Sequence, residues 1–423
     1  MKENADIIGK KIEFQTLGCK LNFAESSSLG KKLLSEGFVR CKSGEQADVV
    51  VINTCSVTDT ADKKGRQLIH RMIKKYPNAF IVVTGCFAQL KPNDIADIEG
   101  VDMVLGANEK VVLEEFLRNV EKKQQAVCHV VKTAEIRNFM PECSADDRTR
   151  HFLKVQDGCN YYCTYCTIPF ARGRSRSASV ADTVAVAKSA IAQGAKEIVL
   201  TGVNTGDFGA GTDETFFDLI KALDTIDADV RYRISSIEPN LLTDDIIRFV
   251  AQSTKFAHHF HIPLQSGSDE LLKLMKRKYD TSLFKYKIDF IKSLMPYAFI
   301  GVDVMVGVRG ETIELFQESV DFIKSLDVSQ LHVFTYSERV GTKALNIPFI
   351  VPMAERKRRN AILQEVSDEK LMTFYAMNRG RKEIVLWEDS KDKKVMSGFS
   401  SNYIKVDAPY NADAINTFSE VTI

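Results

Sequence analysis

A chain of 423 residues, 44% of them apolar, has material for two or three domain cores, which excludes a small peptide or a disordered tail. Lys and Arg total 57 against 56 Asp and Glu, so no overall basic field advertises nucleic acid, and any RNA contact must come from local patches. Residues 1–11 lack the continuous apolar core of a secretory signal, and no apolar run approaches the roughly eighteen residues of a membrane span, so a cytoplasmic protein is expected.

In chain order, the first region alternates strand patterns at 11–16, 48–52, 80–84 and 101–105 with helical ones at 22–35, 59–75 and 109–121. That alternation predicts a small parallel α/β sheet domain. The polar stretch 122–150 loses periodicity and reads as a connection, with a first boundary near residue 130. Strand patterns follow at 152–156, 197–201, 231–236, 260–264, 300–306 and 331–336, separated by helical ones. Six βα units predict a partial or complete (β/α)6 barrel, with the chemistry at the C-terminal ends of its strands. Conspicuous segments stand there: 158–166, 202–206, Glu238, 265–267 and Gly307. A long polar helix at 356–377 precedes short strands at 383–387 and 402–406, a β module that needs neighbouring surfaces to bury a core. The expected division is 1–130, 131–378 and 379–423.

Nine cysteines, an odd number, fit metal, redox or packing roles better than a disulfide framework. GCNYYCTYC places Cys159, Cys163 and Cys166 four and then three positions apart, so one loop can wrap three sulfurs around a metal centre. A tetrahedral zinc would want a fourth protein ligand, for which His151 and Cys143 lie outside the compact run. An iron–sulfur cube held by three thiolates instead leaves one iron open to a cofactor. Cys19, Cys55 and Cys86, in LGCKLN, NTCSVT and TGCFAQ, each lie just after a strand of the first sheet and converge above its strand ends. Three convergent thiols can hold a second cluster, although each alone reads as well as a buried small hydrophobe.

A CxxxCxxC run at the first strand of a six-unit barrel resembles the radical S-adenosylmethionine superfamily, in which the open iron chelates the cofactor and one electron cleaves it to methionine and a 5′-deoxyadenosyl radical. The whole chain is similar to the methylthiotransferases, through QTLGCKLNFAES, VINTCSVTDTADKK, VTGCFAQ, QDGCNYYCTYCTIPFARGRSRS, GVNTGDFG, RISSIEP, HIPLQSGSDELLKLMKRKY and HVFTYSERVGTKA. The resemblance implies two [4Fe-4S] clusters and S-adenosyl-L-methionine. Cys159, Cys163 and Cys166 would carry the cluster that cleaves the cofactor, and Cys19, Cys55 and Cys86 the one that holds the sulfur. It also implies a C-terminal TRAM domain, here a short one. LGCKLN, ARGRSRS and VFTYSERVGT look most like the branch that converts N6-threonylcarbamoyladenosine 37 of tRNA to its 2-methylthio derivative. The implied partners are a tRNA anticodon stem-loop, an external electron donor and a sulfur donor. Competing readings are methylthiolation of isopentenyladenosine 37 or of a ribosomal-protein aspartate, and a non-enzymatic metal-containing RNA-binding protein. DVMVGVRGET departs from the family in carrying Val308 and Arg309 where an aromatic and a proline are common, so the same loop with altered rigidity is expected.

Other candidates are weaker. Tyr165 is expected near the cofactor, or is an ordinary loop aromatic. Ser235, Ser236 and Glu238 can bind the cofactor's amino or ribose groups, or cap the next helix. Gln265 and Ser266 in PLQSG stand at the next strand end, and Gly202 and Gly206 permit close backbone approach to a ligand. Asp157 is expected to orient a backbone turn. Phosphate-binding candidates are Lys63, Lys64, Arg66, Arg71, Lys74 and Lys75, then Arg172, Arg174 and Arg176, then 356–359; Arg172 or Arg174 also suits a threonylcarbamoyl carboxylate.

Overall fold

The computed structural model describes residues 7–118, 120–144 and 149–423. Strands β1 (Lys11–Thr16), β2 (Val39–Arg40), β3 (Val49–Thr54), β4 (Phe80–Gly85), β5 (Met103–Leu105) and β6 (Val127–His129) form one parallel sheet in the order β2-β1-β3-β4-β5-β6. β3 and β4 are buried at every position, as unbroken apolar strands covered on both faces must be. The helix Asp59–Lys75 packs Leu68, Ile69 and Met72 on one face with Val50 and Ile52, and the helix Lys20–Ser35 packs Leu29 and Leu33 on the other with Val49 and Val51. β6 corrects the expected connection over 122–150: its residues are mostly exposed, so no apolar alternation marks it. The helix expected at 109–121 shrinks to a 3-10 turn, Glu109–Val112, and the short helix Leu113–Phe116, a turn that swings Lys110 inward to Glu25.

In the central region β7 (Glu142–Cys143) runs antiparallel to β8 (Arg150–Lys154), and β8, β9 (Glu197–Thr201) and β10 (Arg231–Ile234) are parallel neighbours. β11 (His259–Gln265), β12 (Phe299–Val306) and β13 (Gln330–Thr335) form a second parallel sheet. Isolated parallel bridges, Tyr232 to Phe256 and Ser236 to His261, connect the two, and one apolar core runs through both. Among the described residues no ladder joins β13 back to β8, so the complete-barrel alternative is set aside for an open parallel α/β arrangement.

After the helix Met353–Asn378, strands β14 (Lys382–Glu388), β15 (Val395–Ser400), β16 (Lys405–Pro409) and β17 (Phe418–Thr422) make a curled antiparallel half-barrel resembling a TRAM module, in the order β16-β15-β14-β17. It borrows its core: Ile404 and Tyr403 pack with Phe299 and Phe374. Arg231 donates to the carbonyls of Ile384 and Phe399 at 3.1 and 2.8 Å, and Arg233 to that of Ser401 at 3.0 Å, while Glu197 neutralises both guanidinium groups from beneath. No helix among the described residues is long and apolar enough to cross a membrane.

Candidate active site

The first three thiols are placed by strand adjacency. β1, β3 and β4 are neighbours, with Thr16 opposite Asn53 and Thr54 opposite Gly85. At about 4.8 Å between strands, the loops after them lie within roughly 10 Å of one another. Gly18 and Gly85 make the tight exits: a Cβ on Gly18 would stand 2.9 Å from the Cβ of Cys55, and one on Gly85 would stand 2.3 Å from the Thr54 carbonyl. Both have positive φ, +119° and +98°, which glycine alone adopts without strain. Buried Asn22 clamps the loops by donating to the carbonyls of Leu17 (2.8 Å) and Thr54 (3.2 Å).

Cys19, Cys55 and Cys86 open onto one cavity of about 730 Å3 that also touches Gly202, Ser235 and Ser236 at the C-terminal ends of β9 and β10. It descends between the strands past Phe152, Val199, Arg233 and His261 to Arg150 and His259, where Tyr403 of the C-terminal module lines its far end. Cys166 lies beside a separate cleft of about 90 Å3 with Tyr165, Val57 and Thr58, so the second thiol loop borders the loop that follows Cys55.

The loop carrying Cys159, Cys163 and Cys166 is shaped by Gly158 and Tyr162, at φ +71° and +50°. Asp157 turns it, accepting from the Gly158 amide at 2.8 Å. The amides of Tyr161 and Ile168 donate to the sulfurs of Cys159 and Cys166, each at 3.4 Å, and Arg277 donates to Cys163 Sγ at 3.1 Å. Burial, and next the neighbouring Cys86 sulfur, pushes the Cys55 thiol up to about 11; burial with Cys163 nearby pushes Cys166 up to about 12. Soft donors whose ionisation is opposed first by burial and then by one another suit a cationic thiophilic centre, and those of the second loop already receive N–H and guanidinium hydrogens. Among the described residues no three His, Cys, Asp or Glu side chains are drawn together as a ligand set, so the fit rests on convergence and chemistry.

Glu238 ion-pairs with Arg277, which also donates to the hydroxyls of Tyr279 at 3.0 Å and Tyr165 at 3.4 Å. Burial raises the Glu238 carboxyl although Arg277 opposes it. Gln265 ends β11 at a register shift with φ +67°, and its side-chain oxygen is buried without a partner, a stored strain characteristic of ligand sites. Ser266 is buried beside it and accepts from the Ser268 amide at 3.2 Å. Arg277 was not singled out from the sequence; its place two residues before Tyr279 in KRKY carried only a surface-charge signal. Arg309, noted from the sequence as standing where a proline is common, pairs with Glu338 at 2.9 Å and donates to the Leu345 carbonyl at 2.6 Å, which ties this loop down.

Several basic candidates are committed elsewhere. Arg172 lines the cavity, but its guanidinium is buried against Glu25 (3.0 Å), Asp157 (2.9 Å) and Asn22 (2.6 Å). Arg176 bonds Asp157 at 3.0 Å and the Arg172 carbonyl at 2.6 Å. Lys110 and Lys154 complete this network on Glu25, at 2.6 and 3.1 Å, tying the helix after Cys19 to the strand before Cys159. Arg339 makes a second tie, reaching Asp59 (2.6 Å), Asp62 (2.9 Å) and Ser56 (2.8 Å) just after Cys55. Arg66 pairs with Asp94, while Arg356 and Arg359 are buried, the latter on Glu311 at 2.7 Å. Lys63 and Arg174 remain exposed.

Residues 11–106 match the family described as Uncharacterized protein family UPF0004, and residues 153–323 match the Radical SAM superfamily. The chain is 37% identical over 421 residues to the threonylcarbamoyladenosine tRNA methylthiotransferase MtaB of Bacillus subtilis, covering 97% of this chain and 93% of that one. It is 36% identical to the protein of the same name from Aquifex aeolicus (88% and 91% covered). It is 34% identical to a tRNA-2-methylthio-N(6)-dimethylallyladenosine synthase of Clostridium botulinum (91% and 87% covered). Among solved structures, the radical S-adenosylmethionine methyltransferase TsrM of Kitasatospora setae aligns with a TM-score of 0.56 at 15% identity, covering 78% of this chain and 75% of that one. The cobalamin-dependent radical enzyme OxsB aligns at 0.51 and 11% identity, over 86% and 56%; both likenesses concern the fold alone.

Proposed function

The chain belongs to the radical S-adenosylmethionine methylthiotransferases, and from that membership we propose that it converts N6-threonylcarbamoyladenosine 37 of tRNA to the 2-methylthio derivative, in the cytoplasm. The observation that carries the reading is the convergence of Cys19, Cys55 and Cys86 on one cavity of about 730 Å3 whose neighbouring loop borders the Cys166 cleft. In this reading 1–130 is the N-terminal methylthiotransferase domain, 131–378 a partial (β/α)6 barrel with its following helix, and 379–423 a short RNA-contacting module. An external electron donor and a sulfur donor are the remaining partners.

Cys159, Cys163 and Cys166 would hold one [4Fe-4S] cluster and Cys19, Cys55 and Cys86 the other. Bound there with two S-adenosylmethionine molecules, the clusters supply what acid–base chemistry lacks at an aromatic C2–H: radical hydrogen abstraction, a sulfur atom and a methyl group. The protein's own part is positional. Arg277 donates to the Cys163 sulfur and fixes Glu238, a carboxylate suited to accept from an amino group of the cofactor. Gln265 and Ser266 offer polar atoms at the next strand end, Tyr165 supports Arg277, and Gly202 lines the cavity beside Ser235 and Ser236, where a Cβ would crowd Gln156. The Arg172 and Arg339 ties hold the two thiol groups at a fixed separation, so a base extruded from the loop is oriented between them. Exposed Lys63 and Arg174 are left for phosphate.

Iron and sulfide are measured in anaerobically reconstituted protein and in a Cys19→Ala, Cys55→Ala, Cys86→Ala variant, with nucleoside mass analysis of treated tRNA. A fall from about eight iron atoms to about four, with cofactor cleavage kept and 2-methylthio product lost, is expected for two four-iron clusters. One cluster in both proteins would refute the sulfur-donor assignment.

A further inference from the structure

The thiols crowd one end of the large cavity, and the other end is chemically different. Lys20, Arg150, Arg172 and Arg233 all line the cavity, against one carboxylate, Asp303. The anionic partners of the three arginines, Glu388, Glu25, Asp157 and Glu197, are not part of its wall. Asp303 is occupied by His261 at 2.6 Å. The cavity therefore presents positive charge to whatever enters, with Lys20 itself exposed to the incoming group.

Of the four cations, Arg150, Arg172 and Arg233 are fixed by ion pairs and hydrogen bonds, while the Lys20 ammonium makes no hydrogen bond or ion pair among the described residues. Its electrostatic neighbours are Tyr403, Arg150, Arg233 and Asp303, so the side chain runs from its backbone beside Cys19 toward the far end. A second wall group is unpartnered: Nδ1 of His259, whose ring is more than nine-tenths buried and stacked on Phe299 at 5.4 Å. A cation without an anion, in a cavity with a surplus of cations, lacks a counter-charge that a ligand can bring. The two relatives' names specify different N6 substituents on the target adenine: threonylcarbamoyl, which ends in a carboxylate, and dimethylallyl, which is uncharged. In adenine C2 and C6 flank N1, so the bond to the N6 substituent diverges from the C2–H bond without opposing it. A base with C2 toward the thiols therefore keeps that substituent within the same cavity, whose wall includes Lys20, and the threonylcarbamoyl chain is several atoms long.

Resting on the reading above, we propose that Lys20 is the specificity-determining residue of the site: its ammonium binds the carboxylate of an N6-acyladenosine and so selects an anionic substituent over an apolar one. The arginines supply background potential and Lys20 the direct charge-assisted contact.

The test uses the reconstituted holoenzyme and two anticodon stem-loop RNAs, one bearing N6-threonylcarbamoyladenosine and one its threonine-amide counterpart, identical except for the charge. Dissociation constants are measured by fluorescence anisotropy without turnover, and kcat/KM by mass analysis of the 2-methylthio product. The wild type is expected to prefer the acid by about 10- to 100-fold in both, the range of one hydrogen bond between charged groups. Lys20→Met should bring that ratio within about threefold of unity while Lys20→Arg keeps most of it. Iron content establishes that each variant retains its clusters. A wild-type enzyme without preference, or a Lys20→Met ratio equal to the wild type's, overturns the proposal. The two failures separate cleanly: a wild type that methylthiolates neither RNA refutes the substrate reading itself, and one that methylthiolates both equally refutes only the role of Lys20.

Discussion

Arg172→Met is the sharpest probe of how the two thiol groups are held in register. The guanidinium donates four hydrogen bonds, to both oxygens of Glu25 (3.0 and 3.4 Å), to Asp157 (2.9 Å) and to Asn22 (2.6 Å). Removing one partner of a buried pair costs about 3–5 kcal/mol, because the other charge is left without compensation. Lys110 and Lys154 stay on Glu25, and Arg176 stays on Asp157, so the loss should fall at the lower end, about 3 kcal/mol, or roughly a hundredfold in the folded ratio. The assay is anaerobic urea unfolding followed by circular dichroism, where a slope of about 3 kcal/mol/M turns this into a midpoint lower by about 1 M. Burial pushes the Glu25 carboxyl up, but Arg172, Lys110 and Lys154 together hold it well below the ordinary carboxylate range. Its stabilising charge is therefore fully present above about pH 4.3, the ordinary glutamate value, and is lost as pH falls further. The wild-type advantage should be constant from pH 6 to 8 and shrink in acid. A loss below about 1 kcal/mol at pH 7, the value of an exposed pair, would refute the reasoning.

Glu142 works in the opposite direction: burial pushes its carboxyl up to about 7, and one oxygen has no partner. Its protonated form is at no disadvantage below about pH 4.3, and stability declines as pH rises through about 7, so Glu142→Gln should stabilise the protein by up to about 3 kcal/mol at pH 8 and leave it nearly unchanged at pH 4, read by thermal melts. Gly158→Ala places a Cβ 2.0 Å from the Arg174 carbonyl at φ +71°; the Cys159 loop should not close, and reconstituted iron should fall by about four atoms per chain. Arg277→Ala leaves Glu238 buried and unpaired and should weaken S-adenosylmethionine binding tenfold or more, measured by equilibrium titration of the reconstituted protein.

What could be read from the sequence follows the range of the interactions. Apolar strands such as VVVINT and EIVLT announce themselves because their whole environment is local pattern and burial. The placement of Cys55 and Cys86 directly after strands was legible for the same reason. The pairing of Arg172 was not legible because its main partner, Glu25, lies 147 residues away; from sequence, ARGRSRS is simply a basic run. The burial of Arg356 and Arg359 was hidden in the same way, since one face of a polar helix turns inward onto Tyr336 and Glu311. β6 was invisible because an edge strand with exposed side chains is specified by its neighbour's backbone. Lys20 stood within the quoted LGCKLN, but its lack of a partner is a property of the assembled cavity.

Tyr403 gives the cavity a history as well as a shape. Its ring lies 4.9 Å from His259 and 5.0 Å from Phe399 and sits under the Arg233 guanidinium, at a backbone φ of +64°. Every other residue that lines the cavity is made earlier, the last of them Asp303, a full hundred residues before it. At about 5–20 residues per second of synthesis, the walls stand without their end piece for at least several seconds. During that interval the cavity lacks its Tyr403 wall, so metallation of a nascent or C-terminally clipped chain would take place in a site more open to water than that of the finished chain.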